Sequence, residues 1–208
     1  MAPRPNAGTK GVPRAEREQQ ILDVASIAFG TVGFAATNIA DVARDAGISK
    51  PLIYNYFGSK EGLFAACLDA SADLLATEIE RIARGDAVGI ERGLLTLAGM
   101  FEVLEDRRHV WRLLHDPSAP TTGRIAEVVR THAARIDKLA HEGVHELLAL
   151  AGVDDERDVS AMTATWLGIV DSLIDWWVAH PDEDAAAMTE RASRLAVALL
   201  SDGQRGEA

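Results

Sequence analysis

Between Asn38 and Lys60 the chain reads N-I-A-D-V-A-R-D-A-G-I-S-K-P-L-I-Y-N-Y-F-G-S-K, and this stretch limits what the rest can be. Asn38 is a residue type that caps a helix start, and Asp41, three positions on, completes a capping-box pattern. Ile39, Val42, Ala43 and Ala46 give the segment one apolar face, and Gly47 supplies the left-handed residue that stops a helix. Ser49 is the next cap candidate, and Pro51 suits a first turn, where its missing N–H has no partner to lose. In the Leu52 to Phe57 run that follows, Ile53 and Phe57 share the inward face. Lys50, Leu52, Tyr54, Asn55 and Tyr56 are left to point outward. Two short helices around a tight glycine turn make a helix-turn-helix, whose second helix fits the DNA major groove.

The same residues carry a resemblance. A-x-x-A-G-I-S at Ala43 to Ser49, Y-x-Y-F at Tyr54 to Phe57 and S-K-E-x-L at Ser59 to Leu63 resemble the TetR family of one-component bacterial transcriptional regulators. This likeness covers about a quarter of the chain. It implies base or sugar contacts from Lys50, Pro51, Leu52, Asn55 and Tyr56, and phosphate contacts from Asn38, Tyr54 and Lys60, with Thr37 adjoining them. The chemistry agrees: Lys50 can donate to guanine O6 and N7, Asn55 can pair with adenine, and Leu52 can touch a thymine methyl. Tyr54, Tyr56 and Lys60 would fix register. Asn38 departs from the family, which more often has threonine there.

A net charge of −11 looks unsuited to nucleic acid until its distribution is read. Residues 1–60 hold seven Lys or Arg and five Asp or Glu, whereas residues 61–208 hold 14 and 27, so the acidity lies outside the proposed reading head. A local basic footprint is enough, because only charges near phosphates displace counterions. Hydrophobic content of 48% and charged content of 25% belong to an ordinary globular protein. No apolar run approaches the roughly 20 residues of a membrane span, and the N-terminus lacks the apolar core of a signal peptide, so a cytoplasmic protein is expected. Cys67 stands alone on an apolar helix face and is expected to be packed.

Glycine and proline punctuation divides the remainder into helices, giving about nine in all with no alternating strand, hence an all-α fold. Residues 1–13 and 203–208 read as flexible tails, with Arg4, Lys10 and Arg14 able to brush phosphates from the first. Residues 14–60 form the three-helix, helix-turn-helix DNA-binding domain, and 61–202 the helical effector-binding and dimerisation domain. Helices are expected near 15–33, 60–84, 87–105, 107–115, 122–151, 155–179 and 182–200, besides the two of the motif. In the 155–179 helix, Met162, Trp166, Ile169, Val170, Leu173, Trp176 and Trp177 wrap much of the circumference. In the last helix, Met188, Ala192, Leu195, Ala196, Leu199 and Leu200 make a stripe. Helices 155–179 and 182–200 from two copies would close a four-helix homodimer interface, as the resemblance implies, and a two-fold dimer suits two DNA half-sites.

The resemblance also implies a small-molecule effector pocket in the body. Candidate lining residues are Met100, Phe101, Leu104, Trp111, His115, His132, Met162, Trp166 and Ile169. Such walls would suit a hydrophobic or amphipathic ligand, with His132 pointing inward as a polar group. The competing class is a zinc-dependent hydrolase, because His141-Glu142-Gly143-Val144-His145 spells H-E-x-x-H. At roughly 100° per residue, His141, Glu142 and His145 fall well away from the apolar face centred on Ile136, and no third ligand stands at a familiar spacing. The expectation is therefore a non-enzymatic regulator without metal or cofactor. It would be a repressor released from a pseudo-palindromic double-stranded operator by its effector.

Overall fold

A computed structural model describes residues 13–201, with side chains as far as Ala198. The expected tails, with Arg4 and Lys10, and the side chains of Leu199 and Leu200 lie outside the described residues. Nine helices and no strand are found among those described. They are α1 (Arg14–Ala36), α2 (Ile39–Asp45), α3 (Lys50–Phe57), α4 (Lys60–Ala83), α5 (Gly89–Leu104), α6 (Arg108–Leu114), α7 (Gly123–Leu150), α8 (Glu156–Val178) and α9 (Ala185–Ser201).

The local signals act largely as read. Asn38 Oδ1 accepts from the Ala40 N–H at 2.9 Å, and Gly47 takes φ 66° so that the Ile48 N–H can reach the Ala43 carbonyl. The Ser59 hydroxyl caps α4 by accepting from Gly62 at 3.0 Å. Two cap details differ. Asp41 does not close a capping box: its carboxylate pairs with Arg44 at 2.5 Å, one turn on, where a cation is also available. Ser49 occupies the cap position without a side-chain cap bond.

Two apolar clusters organise the packing. One lies beneath the reading head, where Ile21, Ala25 and Phe29 of α1 meet Ile39 and Val42 of α2, Ile53 of α3, and Leu63, Phe64 and Cys67 of α4. Phe64 stands edge-on to both Phe29 and Phe34, at 5.0 and 5.1 Å between ring centres, a favoured aromatic geometry. Leu113 of α6 and Ile125 of α7 complete this cluster, so its packing passes beyond residue 60. The other cluster gathers Leu97, Met100, Phe101 and Leu104 of α5 with Trp111, Ile174, Trp177 and Met188. Here the carbonyls at the end of α8 are collected by arginines: Arg108 donates to Trp177 at 3.2 Å and His180 at 3.1 Å, and Arg112 donates to Val178 at 3.0 Å. Cations at that end also complement the helix dipole.

Head and body meet through α4 and α6. A side chain at Gly30 would place its Cβ 2.1 Å from the His109 carbonyl oxygen, so only glycine lets α1 lie on α6. Farther along, α1 breaks at Gly33, which takes φ 80°. The corner between α6 and α7 fills the break: Asp116 accepts from the Phe34 N–H, and the Ser118 hydroxyl accepts from Ala35 at 3.0 Å. These bonds tie residues more than 80 positions apart and satisfy amides that the broken helix leaves open.

Candidate functional site

The head presents a polar and aromatic surface around α3. Lys50, Pro51, Tyr54 and Asn55 are exposed, Tyr54 at 38%, while Ile53 is fully enclosed beneath them. Leu52 and Tyr56 are half-buried at the edges, and Tyr56 lies under the Arg14 guanidinium at 5.0 Å. The Lys50 ammonium sits 5.8 Å from the Tyr54 ring centre, and that of Lys60 is 4.7 Å from the Phe34 ring and 3.3 Å from the Ala35 carbonyl. Asn38 spends its side-chain oxygen on the cap, which leaves its amide NH2 as a donor beside the exposed start of α2.

Thr37 departs from the expected surface. It is only 5% exposed, and its hydroxyl donates to the Gly33 carbonyl at 2.7 Å. Its side chain closes the end of α1 and places Asn38, instead of facing outward. What remains is a one-sided arrangement of donors and rings on a short helix, carried by a rigid aromatic base. That arrangement can enter a major groove and grip its flanking phosphates.

The body encloses a cavity of about 1050 Å3, walled by α4, α5, α7, α8 and α9 with α6 at one end. Of the residues expected to line it, Met100, Trp111, His115, His132, Met162, Trp166 and Ile169 do so. Phe101 and Leu104 do not: both are fully buried in the closed cluster at the end of α5, where Phe101 packs edge-on against Trp177 at 5.2 Å. Sequence reading missed the α4 wall of Leu68, Ala72, Leu75 and Ile79, although its three- and four-residue spacing was visible. The long α7 has only Ile125 and Val144 buried, because most of its apolar face looks into this space.

Polar groups on the walls are few. His132 is 13% exposed as a side chain, with Nε2 2.7 Å from Asp69 of α4 and Nδ1 buried without a partner. One turn on, Arg135 reaches both Asp73 and Glu80 of α4 at 2.7 Å, so a second ion-paired contact joins α7 to α4. These carboxylates raise the Arg135 pKa, and the Arg135 bond holds that of Glu80 below the usual range. His115 directs Nδ1 to the Trp111 carbonyl at 3.0 Å, and the Trp111 indole N–H donates to Asp175 at 2.7 Å.

The H-E-x-x-H residues do not gather. His145 is exposed, His141 faces Glu156 at 3.8 Å, and Glu142 lies 3.8 Å from Lys138 on the outer face of α7. No group of three His, Cys, Asp or Glu side chains suited to a metal occurs among the described residues, so the zinc hydrolase reading has no site to stand on. No helix described is long and apolar enough to cross a membrane.

Comparisons with known proteins agree with this geometry. A family model described as bacterial regulatory proteins, tetR family, matches residues 21–67. The probable HTH-type transcriptional regulator ArpR of Pseudomonas putida is 31% identical over 175 residues, 80% of this chain and 82% of that protein. The HTH-type transcriptional activator FasR of Mycolicibacterium smegmatis is 29% identical over 130 residues, which are 61% of this chain and 59% of FasR. Among solved structures, a TetR-like transcriptional regulator from a Rhodococcus species superposes with TM-score 0.72 at 26% identity, covering 92% of this chain and 99% of that one.

Proposed function

The chain belongs to the TetR family and is a DNA-binding transcriptional regulator, and from that premise we propose that it is a cytoplasmic, homodimeric repressor released from its operator by a small molecule held in the body cavity. The observation that carries the reading is the course of α4. One unbroken helix starts at the Ser59 cap in the head, contributes Leu63 and Phe64 to the head core, and then lines the cavity with Leu68, Leu75 and Ile79. A guest that prefers one position of α4 therefore prefers one position of α3. It can shift the equilibrium only by its difference in affinity for the two states, and near-complete switching needs about 5.5 kcal/mol.

Each copy would read one half-site with Lys50, Pro51, Leu52, Asn55 and Tyr56, and hold phosphates with Asn38, Tyr54 and Lys60. In a dimer, two α3 helices enter successive major grooves with centres about 34 to 36 Å apart. For the dimer, α8 supplies Trp176, which is 39% exposed and stands outside the cavity wall. With Val197 of α9, 63% exposed, this leaves apolar surface on the last two helices that suits a second copy of the same pair. A random-pool DNA selection with the purified protein should return a pseudo-palindrome with half-sites one helical turn apart. Deleting the gene should raise expression from that operator; lowered expression would make the protein an activator, and an unstructured selection would remove the reading.

A further inference from the structure

Resting on the reading of the body cavity as the effector site, we propose that its ligand is an apolar molecule with a hydrogen-bond-donating, cationic nitrogen head seated toward Asp171 and His115, and not a carboxylic acid. Hydrogen-bond polarity comes first. The Trp111 carbonyl can only accept, so His115 presents a proton on Nδ1, and in the neutral form of the ring Nε2 is an acceptor. The same assignment at His132, whose Nε2 faces the Asp69 carboxylate, leaves Nδ1 as an acceptor too. In their neutral form the cavity's histidines thus offer lone pairs to a guest.

Charge points the same way. Asp137 and Asp171 line the cavity and have no ion-pair partner among the described residues, while the wall's arginine, Arg92, is already paired with Glu146 and bonded to the Ala87 carbonyl at 2.7 Å. Burial lifts the Asp171 carboxyl above its ordinary value; His115 opposes the rise and Asp175 adds to it. A partly desolvated carboxylate beside a like charge is relieved by a cation and aggravated by an anion. Trp111 and Trp166 stand among the wall residues, and an aromatic ring face attracts an ammonium group within about 6 Å. A fatty carboxylate would bring its charge to a region with acceptors and no uncommitted cation, and its desolvation would go uncompensated.

The test uses the full-length protein and three ligands of equal chain length, dodecylamine, 1-dodecanol and dodecanoate, each below its micellar concentration and followed by calorimetry. The amine should bind at least about tenfold more tightly than dodecanoate, with the alcohol between them. Asp171→Asn, on a side chain exposed enough to leave the fold intact, should cost the amine about tenfold and leave the alcohol unchanged. Ala140→Trp, which fills the cavity from α7, should abolish binding of all three, with thermal melting confirming a folded protein. Equal or tighter binding of dodecanoate, or an unaltered amine affinity in Asp171→Asn, overturns the ligand class while leaving the effector cavity standing. Binding by none of the three, or full binding by a folded Ala140→Trp variant, overturns the cavity reading and the class together.

Discussion

The two apolar clusters of this molecule are finished to different degrees. Under the reading head, Ile21, Phe29, Ile53, Leu63 and Phe64 are wholly enclosed, and three phenylalanine rings interlock. In the body, side chains of similar character surround open space, and Met162, Ile169 and Trp176 remain in contact with solvent. Uncovered apolar surface forgoes roughly 25 cal/mol for every Å2 left in water, so the body gives up stability that the head secures. The head has to hold α3 in a single pose, which close packing enforces. The body has to admit a guest and a second copy, and both need apolar surface that the chain does not cover for itself.

That contrast can be broken by experiment. Phe64→Ala should cost about 3 to 5 kcal/mol in urea unfolding, because the ring has neighbours on every side, whereas Val129→Ala on the cavity wall should cost less than about 1 kcal/mol. Equal losses would mean the head is no more tightly built than the body. Next in size, Val197→Glu puts a charge on the exposed face of α9 and should raise the dimer dissociation constant at least about hundredfold, near 2.7 kcal/mol, in sedimentation equilibrium. An unchanged dimer would move the interface elsewhere. On the reading surface, Lys50→Ala should cost about 1 to 3 kcal/mol at one base pair and relax preference there. Tyr54→Ala with Lys60→Ala should weaken binding to all sequences and flatten its salt dependence. Reversed behaviour would exchange the reading and anchoring roles.

The effect that is smallest at neutral pH concerns Cys67, whose burial pushes its thiol up from 9.0 to about 12. Above pH 9.0 the unfolded chain loses this proton while the folded chain keeps it, so stability contributed here falls as pH rises toward 12. Cys67→Ala should shed that alkaline slope, and alkylation of native Cys67 should track unfolding. Rapid alkylation of the folded protein would show a head looser than its packing.

What could be read from the sequence follows the range of the forces involved. Asn38, Gly47, Pro51 and Ser59 act on their own neighbours, so the motif and the nine helices, with bounds within about three residues, were legible. Periodicity also separated apolar from polar faces on α7, which kept His141 and His145 out of the interior. It cannot say how far along a face an open space extends: Leu97, Met100 and Leu104 share one side of α5, yet Leu97 and Met100 reach the cavity while Leu104, like Phe101, is closed into the cluster with Trp177. Thr37 could not be placed without Gly33, whose break depends on a distant corner. His132 with Asp69, and Arg135 with Asp73 and Glu80, join α7 to α4 across more than 50 residues, and no local pattern announces such pairs.

The corner that fills the break at Gly33 bears on how this protein can be re-engineered. Asp116 and Ser118 supply the hydrogen bonds that fill the break in α1, so residues 13–60 do not contain everything that fixes their own geometry. A chimaera that grafts this head onto a foreign body would inherit the operator contacts but lose the two side chains that orient them. Transplanting the α6 to α7 corner along with the head, or choosing a recipient with acceptors at those two places, is the condition for exchanging specificity between such proteins.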